Sequence, residues 1–266
     1  MKDADKFNLL YELICMLSLD NLRDDNDLSL IFHYTGENNL KSIFEAEEGI
    51  NLWHMKHQND ALEYSIEKVS TFFKIALKEI YEETKNESIL ALNDFKIDND
   101  FFFNPGSLKS NKGIAYICCF SKNDYCKCLI EKVKEKNSGN VVKLSFLYVD
   151  ICEELNRSYE KYIHLIFRVI YDDSEKIELI KRFLKKAISF TQSKETLLFL
   201  YRDFANICRF AFKDIEFKDE EEIRSLIVIT EEESSIFENK CINNNKPIHL
   251  DFNFKEVDLF DIENII

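Results

Sequence analysis

The chain has 266 residues, of which 45% are hydrophobic and 32% charged, enough for a real core in one large domain or two small ones. That balance excludes a disordered chain, and five glycines with two prolines exclude collagen-like and linker-rich architectures. A formal net charge of −14 argues against a surface that grips duplex DNA or an anionic membrane by neutralising phosphates.

Residues 4–19 carry Phe7, Leu10, Ile14 and Leu17 at helical spacing. No run approaches the ~20 apolar residues of a membrane helix. Residues 1–28 are therefore expected as an amphipathic helix and not a signal peptide, and the location as cytoplasmic. "LSLIFHYT" has the pattern of a strand, "NLKSIFEAEE" of a short helix ended by Gly49, and "INLWHM" of a second strand. "NDALEYSIEKVSTFFKIALKEIYEET" has the pattern of a long helix. Asn59 or Asp60 can cap it, and Glu63 completes a capping box if Asp60 is the cap.

Residues 84–113 are polar and turn-rich and form the best internal boundary, as an exposed loop within one domain. "IAYICCF" is expected as a buried strand, "KNDYCKCLIEKVKEK" as a helix, and "NVVKLSFLYV" and "KYIHLIFRVIYD" as strands. Two helices follow, "SEKIELIKRFLKKAISF" and "TLLFLYRDFANICRFAF", and "EIRSLIVIT" and "KPIHLDF" close the chain as strands. The order is not a regular βαβα alternation. The fold class is α+β: a split mixed or antiparallel sheet with flanking helices in a single domain over residues 29–266.

Several chemistries have no sequence support. Widely spaced glycines cannot form a phosphate-cradling loop, and Ser121 lacks the context of a hydrolase elbow. The eight cysteines contain no CxxC pair; Cys126 and Cys128, with Cys118 and Cys119 upstream, are expected as free thiols in a reducing compartment. His54 and His57 lack a carboxylate pair, so no metal site is expected.

Four short stretches can carry chemistry. In "FHYT", His33 at a strand end either points its imidazole into a cleft or is an ordinary half-buried histidine. "QNDALEY" supplies Asn59 and Asp60 at a helix start, as ligand contacts or as a cap. In "CFSKND", Ser121 can bind a ligand hydroxyl or cap the next helix. In "FKDEEEIRSLIVI", Glu220, Glu222 and Arg224 would share one strand face; the plain alternative is a solvated acidic turn.

In this order the four stretches resemble a widespread bacterial family described as a domain of unknown function. Its pattern is an opening strand-turn with an aromatic, an Asn-Asp-x-x-Glu segment, a Phe-Ser segment and a late Glu-x-Glu-x-Arg strand. The matching residues are "HYT", Asn59-Asp60 with Glu63, Phe120-Ser121, and Glu220, Glu222 and Arg224, over roughly residues 30–265. The family's Trp-x-x-Tyr segment after Phe-Ser is missing here, which leaves any role tied to it without a carrier.

"HYTGENNLKSIFEAEEGI" also resembles the opening of His-Tyr-Glu type ADP-ribosyltransferases. That resemblance implies a split α+β sheet around a cleft for NAD as substrate, with no metal. It implies that His33, Tyr34 and Thr35, with Asn59, Asp60, Ser121 and Arg224, line the site. Tyr64, or else Tyr116, would stack on nicotinamide, and Glu222 or Glu220 would be the catalytic carboxylate. The implied activity is cleavage of the nicotinamide glycosidic bond, in a bacterial toxin or phage-defence effector whose acceptor is protein or nucleic acid. The alternatives are a non-catalytic ligand-binding or regulatory module of the same fold, or a nucleic-acid-processing defence protein, which the acidic charge disfavours.

Overall fold

A computed structural model describes residues 30–40, 43, 50–54, 65–93, 113–137, 139–159, 162–191, 193–236, 249–252 and 259–265. The expected N-terminal helix over 1–28 lies outside them. The region expected as a single domain divides into two compact units. The described residues within 65–93 and 169–215 build a helical unit; those within 30–54, 114–168 and 216–265 build a sheet unit.

The sheet unit holds β1 (Leu30–Gly36), β2 (Ile50–His54), β3 (Gly113–Ser121), β4 (Val141–Leu147), β5 (Ile163–Arg168), β6 (Glu222–Thr230), β7 (His249–Phe252) and β8 (Leu259–Ile265). The spatial order is β5-β6-β3-β1-β4-β8. β2 branches from this path, pairing with β3 and with β7. The branch point is β3: Ser121 faces Phe32 of β1, whereas Ile117 faces Trp53 of β2. Both of these pairings are antiparallel, as are β1 with β4, β4 with β8 and β5 with β6. A mixed α/β chain with an antiparallel sheet and flanking helices results, as the α+β expectation requires.

Side chains on a strand alternate between faces, so each strand feeds two layers. On one face Ile31, Cys118, Phe120, Leu144, Phe146, Ile223, Ile227 and Ile229 form one buried cluster with Ile151 and Leu155. Those last two come from helix α4, numbered in chain order (Tyr148–Tyr159). On the other face Phe32, Tyr34 and Val141 pack with Cys126, which caps helix α3 (Lys127–Lys136), and with Ile130 within it. Gly36 closes β1 where a Cβ would stand 2.8 Å from the Asn137 side chain, so glycine is what lets the two segments approach.

Two expectations for this unit need correcting. The apolar run "NVVKLSFLYV" is not strand to its end, because Tyr148 already starts α4. Ile151 and Leu155 lie one turn apart and bury one helical stripe, a period the preceding strand run masks. The chain also closes with a strand not expected, β8, whose Glu263 faces Lys143 of β4 across a 2.6 Å ion pair.

The helical unit holds α1 (Ile66–Thr84), α2 (Glu87–Asn93), α5 (Asp173–Phe190) and α6 (Lys194–Ala211). α1 starts behind Ser65 in extended backbone, later than the cap expected at Asn59 or Asp60. The loop expected over 84–113 contains α2, whose Ile89 and Leu92 are buried. Asp172 caps α5 by accepting from Ser174 and Glu175 N–H groups, and Ser193 caps α6 by accepting from Thr196 N–H. The core is aromatic: Phe183 and Phe204 stack at 3.9 Å, and Tyr201 meets Phe73 edge-on at 5.0 Å. Lys181 of α5 reaches Glu79 of α1 at 3.0 Å and Glu178 at 2.8 Å on the surface of that contact.

One group in this core is under electrostatic stress. Asp203 is fully buried on α6. Its Oδ1 accepts from Arg202 Nε at 2.9 Å, while Oδ2 has no hydrogen-bond partner. Burial pushes its pKa up to about 7, against the pull of Arg202. An unfolded aspartate titrates near 3.9, so between about pH 4 and 7 the folded chain holds the extra proton. Stability from this group is present below about pH 4 and is lost as pH rises through about 7. Urea denaturation of the wild type should therefore show a decline on the order of 4 kcal/mol across that window, and Asp203→Asn should flatten it. An equal slope in both proteins contradicts the assignment.

Candidate functional site

Of the polar residues expected to form a site, Tyr34 and Ser121 meet the acidic segment where β3 ends and β6 begins. Ser121, the last residue of β3, is fully buried. Its hydroxyl donates to the Glu220 carbonyl at 2.6 Å and accepts from Asn123 N–H at 2.9 Å. Lys122 N–H donates to the Glu221 carbonyl at 3.0 Å, and Asn123 Nδ2 to that of Asp219 at 3.2 Å. The Tyr34 hydroxyl donates to the Asn123 carbonyl at 2.7 Å and accepts from Cys126 N–H at 3.1 Å. Burial raises its pKa to about 12, so it stays a neutral phenol. Tyr34 and Ser121 thus tie the 121–126 turn to β1 and to the acidic segment. Those contacts occupy both hydroxyls.

The acidic run is not one strand face, and only half of it is a solvated turn: Asp219 and Glu221 are exposed, Glu220 and Glu222 buried. Glu220 ends a 3-10 turn (Ile215–Glu220), Glu221 has a left-handed backbone with φ 42°, and β6 begins only at Glu222. A left-handed residue breaks the pleat, so Glu220 cannot share a strand face with Glu222. The expected trio splits into two ion pairs, of which the Glu222–Arg224 pair is buried on both sides and the Glu220–Lys132 pair on the carboxylate side alone. Glu220 pairs with Lys132 of α3. Glu222 accepts from Arg224 Nε at 2.8 Å and from Arg224 Nη2 at 3.0 Å, with 5% of Glu222 and none of Arg224 exposed. A two-point guanidinium fork fixes a carboxylate's orientation as well as its charge. Cys119 lies beside this pair; burial first, and then the Glu222 charge, hold its thiol well above the usual range.

His33 sits elsewhere. Its Nδ1 is 3.0 Å from the Cys119 carbonyl, and its ring meets Phe120 edge-on with centroids 6.0 Å apart. A carbonyl only accepts, so Nδ1 carries the proton and Nε2 is the acceptor. The ring is half-buried at the surface, but enough protein surrounds it that burial lowers its pKa against the opposing pull of the Cys119 carbonyl. It is therefore neutral at neutral pH. Alternation puts it with Ile31, Thr35 and Phe120 on the α4 face. Glu222 and Arg224 alternate with Ile223, which belongs to that same α4-side cluster, so they point to the opposite face.

The other expected residues fall as follows. Thr35 is buried and its Oγ1 accepts from Asn39 Nδ2 at 2.9 Å, bracing the turn after β1. Tyr116 is fully buried on the His33 side, 2.9 Å from the Ser234 hydroxyl, so no ring face is offered to a ligand. Asn59, Asp60, Glu63 and Tyr64 lie outside the described residues. Lys132 and Cys119 were not anticipated. Lys132 lies on the expected helix and only the fold reveals its partner; Cys119 could be paired with Glu222 only once the order of β3 and β6 was known. Among the described residues, no group of three or more His, Cys, Asp or Glu side chains could hold a metal ion, and no helix is long and apolar enough to cross a membrane. Comparisons with protein-family models, curated proteins and solved structures returned no match.

Removing one partner of a buried ion pair leaves the other charge stranded, at a cost of about 3–5 kcal/mol. Glu222→Leu and Arg224→Met should each cost that much by chemical denaturation. The double variant should cost less than the sum of the two single changes, because the two residues interact directly. Additive losses contradict the pair as described.

Proposed function

We propose that this chain is a non-catalytic ligand-binding module related in fold to ADP-ribosyltransferases, recognising NAD or a similar ribose-bearing nucleotide without cleaving it. The observation that carries the reading is His33. Its Nδ1–H is anchored on the Cys119 carbonyl, and its neutral Nε2 stands as an acceptor with no protein partner among the described residues. Such a group suits a ribose hydroxyl donor. Nicotinamide cleavage needs a carboxylate near the same sugar to stabilise the positive charge that builds there. Glu222 is on the other face of the sheet, and Arg224 engages both of its oxygens.

A second reading is favoured by that same fork. Arg224 keeps Glu222 oriented at the head of a late strand, where the resemblance puts the catalytic carboxylate of an NAD-cleaving enzyme. In that reading Glu222 is the catalytic residue, Arg224 positions it, and His33 acts only in folding.

Calorimetry with NAD and an assay of released nicotinamide separate the two. The binding reading expects heat of binding, no release above buffer, and affinity about tenfold weaker in His33→Ala, the worth of one hydrogen bond. Steady release that disappears in Glu222→Gln establishes the second reading instead. No heat and no release overturn both.

A further inference from the structure

Two thiols outside the residues discussed for NAD form a closer arrangement than the sequence suggests. Cys126 precedes α3 in extended backbone, and Cys128 lies in the first turn of that helix. Their sulfurs are 3.0 Å apart. Cys126 is 1% exposed and Cys128 is only partly buried, so Cys128 is the more accessible residue of the two. Both are free thiols. Two sulfurs already this close need move only about 1 Å to reach the ~2.05 Å of a disulfide.

We propose that Cys126 and Cys128 are a reversible dithiol–disulfide site, oxidised by peroxides. The sulfur of Cys128, the more accessible of the two residues, attacks hydrogen peroxide. A sulfur–oxygen bond forms, the oxygen–oxygen bond breaks, and one water leaves with the thiol proton, giving a sulfenic acid. The Cys126 sulfur then attacks the Cys128 sulfur. The sulfur–sulfur bond forms, the sulfur–oxygen bond breaks, and the Cys126 proton leaves with the hydroxyl as a second water. Two thiols and one peroxide become one disulfide and two waters, and an external dithiol reverses the change by exchange. Burial holds the Cys126 thiol up to about 12, which keeps it protonated and leaves the first attack to Cys128.

Three contacts give oxidation something to act on. Cys126 N–H donates to the Tyr34 hydroxyl, its sulfur lies 3.5 Å from the Asp219 carbonyl, and Lys132 further along α3 holds Glu220. A bond that draws Cys126 towards Cys128 pulls on the segment leading into β6. The inference does not rest on the proposed binding of NAD.

The sequence supplies a direct assay, because trypsin cuts after Lys127, between the two cysteines. The full chain is treated with equimolar hydrogen peroxide, the remaining thiols are alkylated, and the chain is digested without reductant. The expected result is that peptides 123–127 and 128–132 remain linked as one species that dithiothreitol splits. Cys118, Cys119 and Cys208 should still be alkylated, after denaturation. In Cys126→Ser the Cys128 sulfenic acid should instead be trapped by dimedone, and the wild-type digest stands alone if that variant does not fold. Unlinked, fully alkylated peptides overturn the proposal, as does a disulfide between two chains or to another cysteine. So does direct passage of Cys128 to the sulfinic acid in the wild type.

Discussion

The two-residue period of β6 is the constraint on which the rest of the sheet unit depends. From Glu222 onward, alternate residues point to opposite faces. Ile223, Ile227 and Ile229 enter the core under α4, and this puts Glu222 and Arg224 on the other side. Starting the strand one residue earlier would drive the acid and the guanidinium into the α4 core and lift the isoleucines out of it. The left-handed Glu221 prevents that shift by ending the 3-10 turn before the pleat begins. Such a conformation costs about 1–2 kcal/mol for a residue with a side chain. The Ser121, Lys122 and Asn123 hydrogen bonds to the carbonyls of 219–221 hold it in place.

Charge burial follows from the same register. Taking an isolated carboxylate out of water costs several kcal/mol, so Glu220 and Glu222 can be nearly dry only because each meets a cation. Glu220 borrows Lys132 from α3, which ties that helix to the entry of β6. Glu222 finds Arg224 two residues on, on the same face of its own strand. These pairs fix which segment lies where more than they stabilise the fold, since a buried pair roughly offsets its own desolvation. In the helical unit, Asp203 shows the opposite case: only one of its oxygens is satisfied, and its pKa rises accordingly.

The sequence made legible the elements whose pattern is local. Continuous apolar runs marked β3 and β6, and 3.6-residue periodicity marked α1, α5 and α6. It did not mark α4, because Tyr148 and Val149 extend the apolar run of β4 without a break. Glu220, Glu222 and Arg224 looked equivalent because spacing cannot reveal a left-handed residue between them. The polar site residues were found individually, but their grouping was not. Whether His33 and Glu222 share a face is set by strand order and by which isoleucines enter the core, and neither is local. The tyrosine and serine expected to touch a ligand turned out to hold the backbone of a turn, a use that only long-range contacts reveal.

The separation of His33 from the Glu222–Arg224 pair is the central claim, because it decides which residues can serve one ligand. The direct measurement is a proton NOE experiment on chain labelled selectively at histidine, phenylalanine and arginine. The account expects cross-peaks from the His33 ring to the Phe120 ring and none to the Arg224 side chain. Cross-peaks between His33 and Arg224 would contradict it. They would put the histidine and the carboxylate on one face and restore the geometry that nicotinamide cleavage requires.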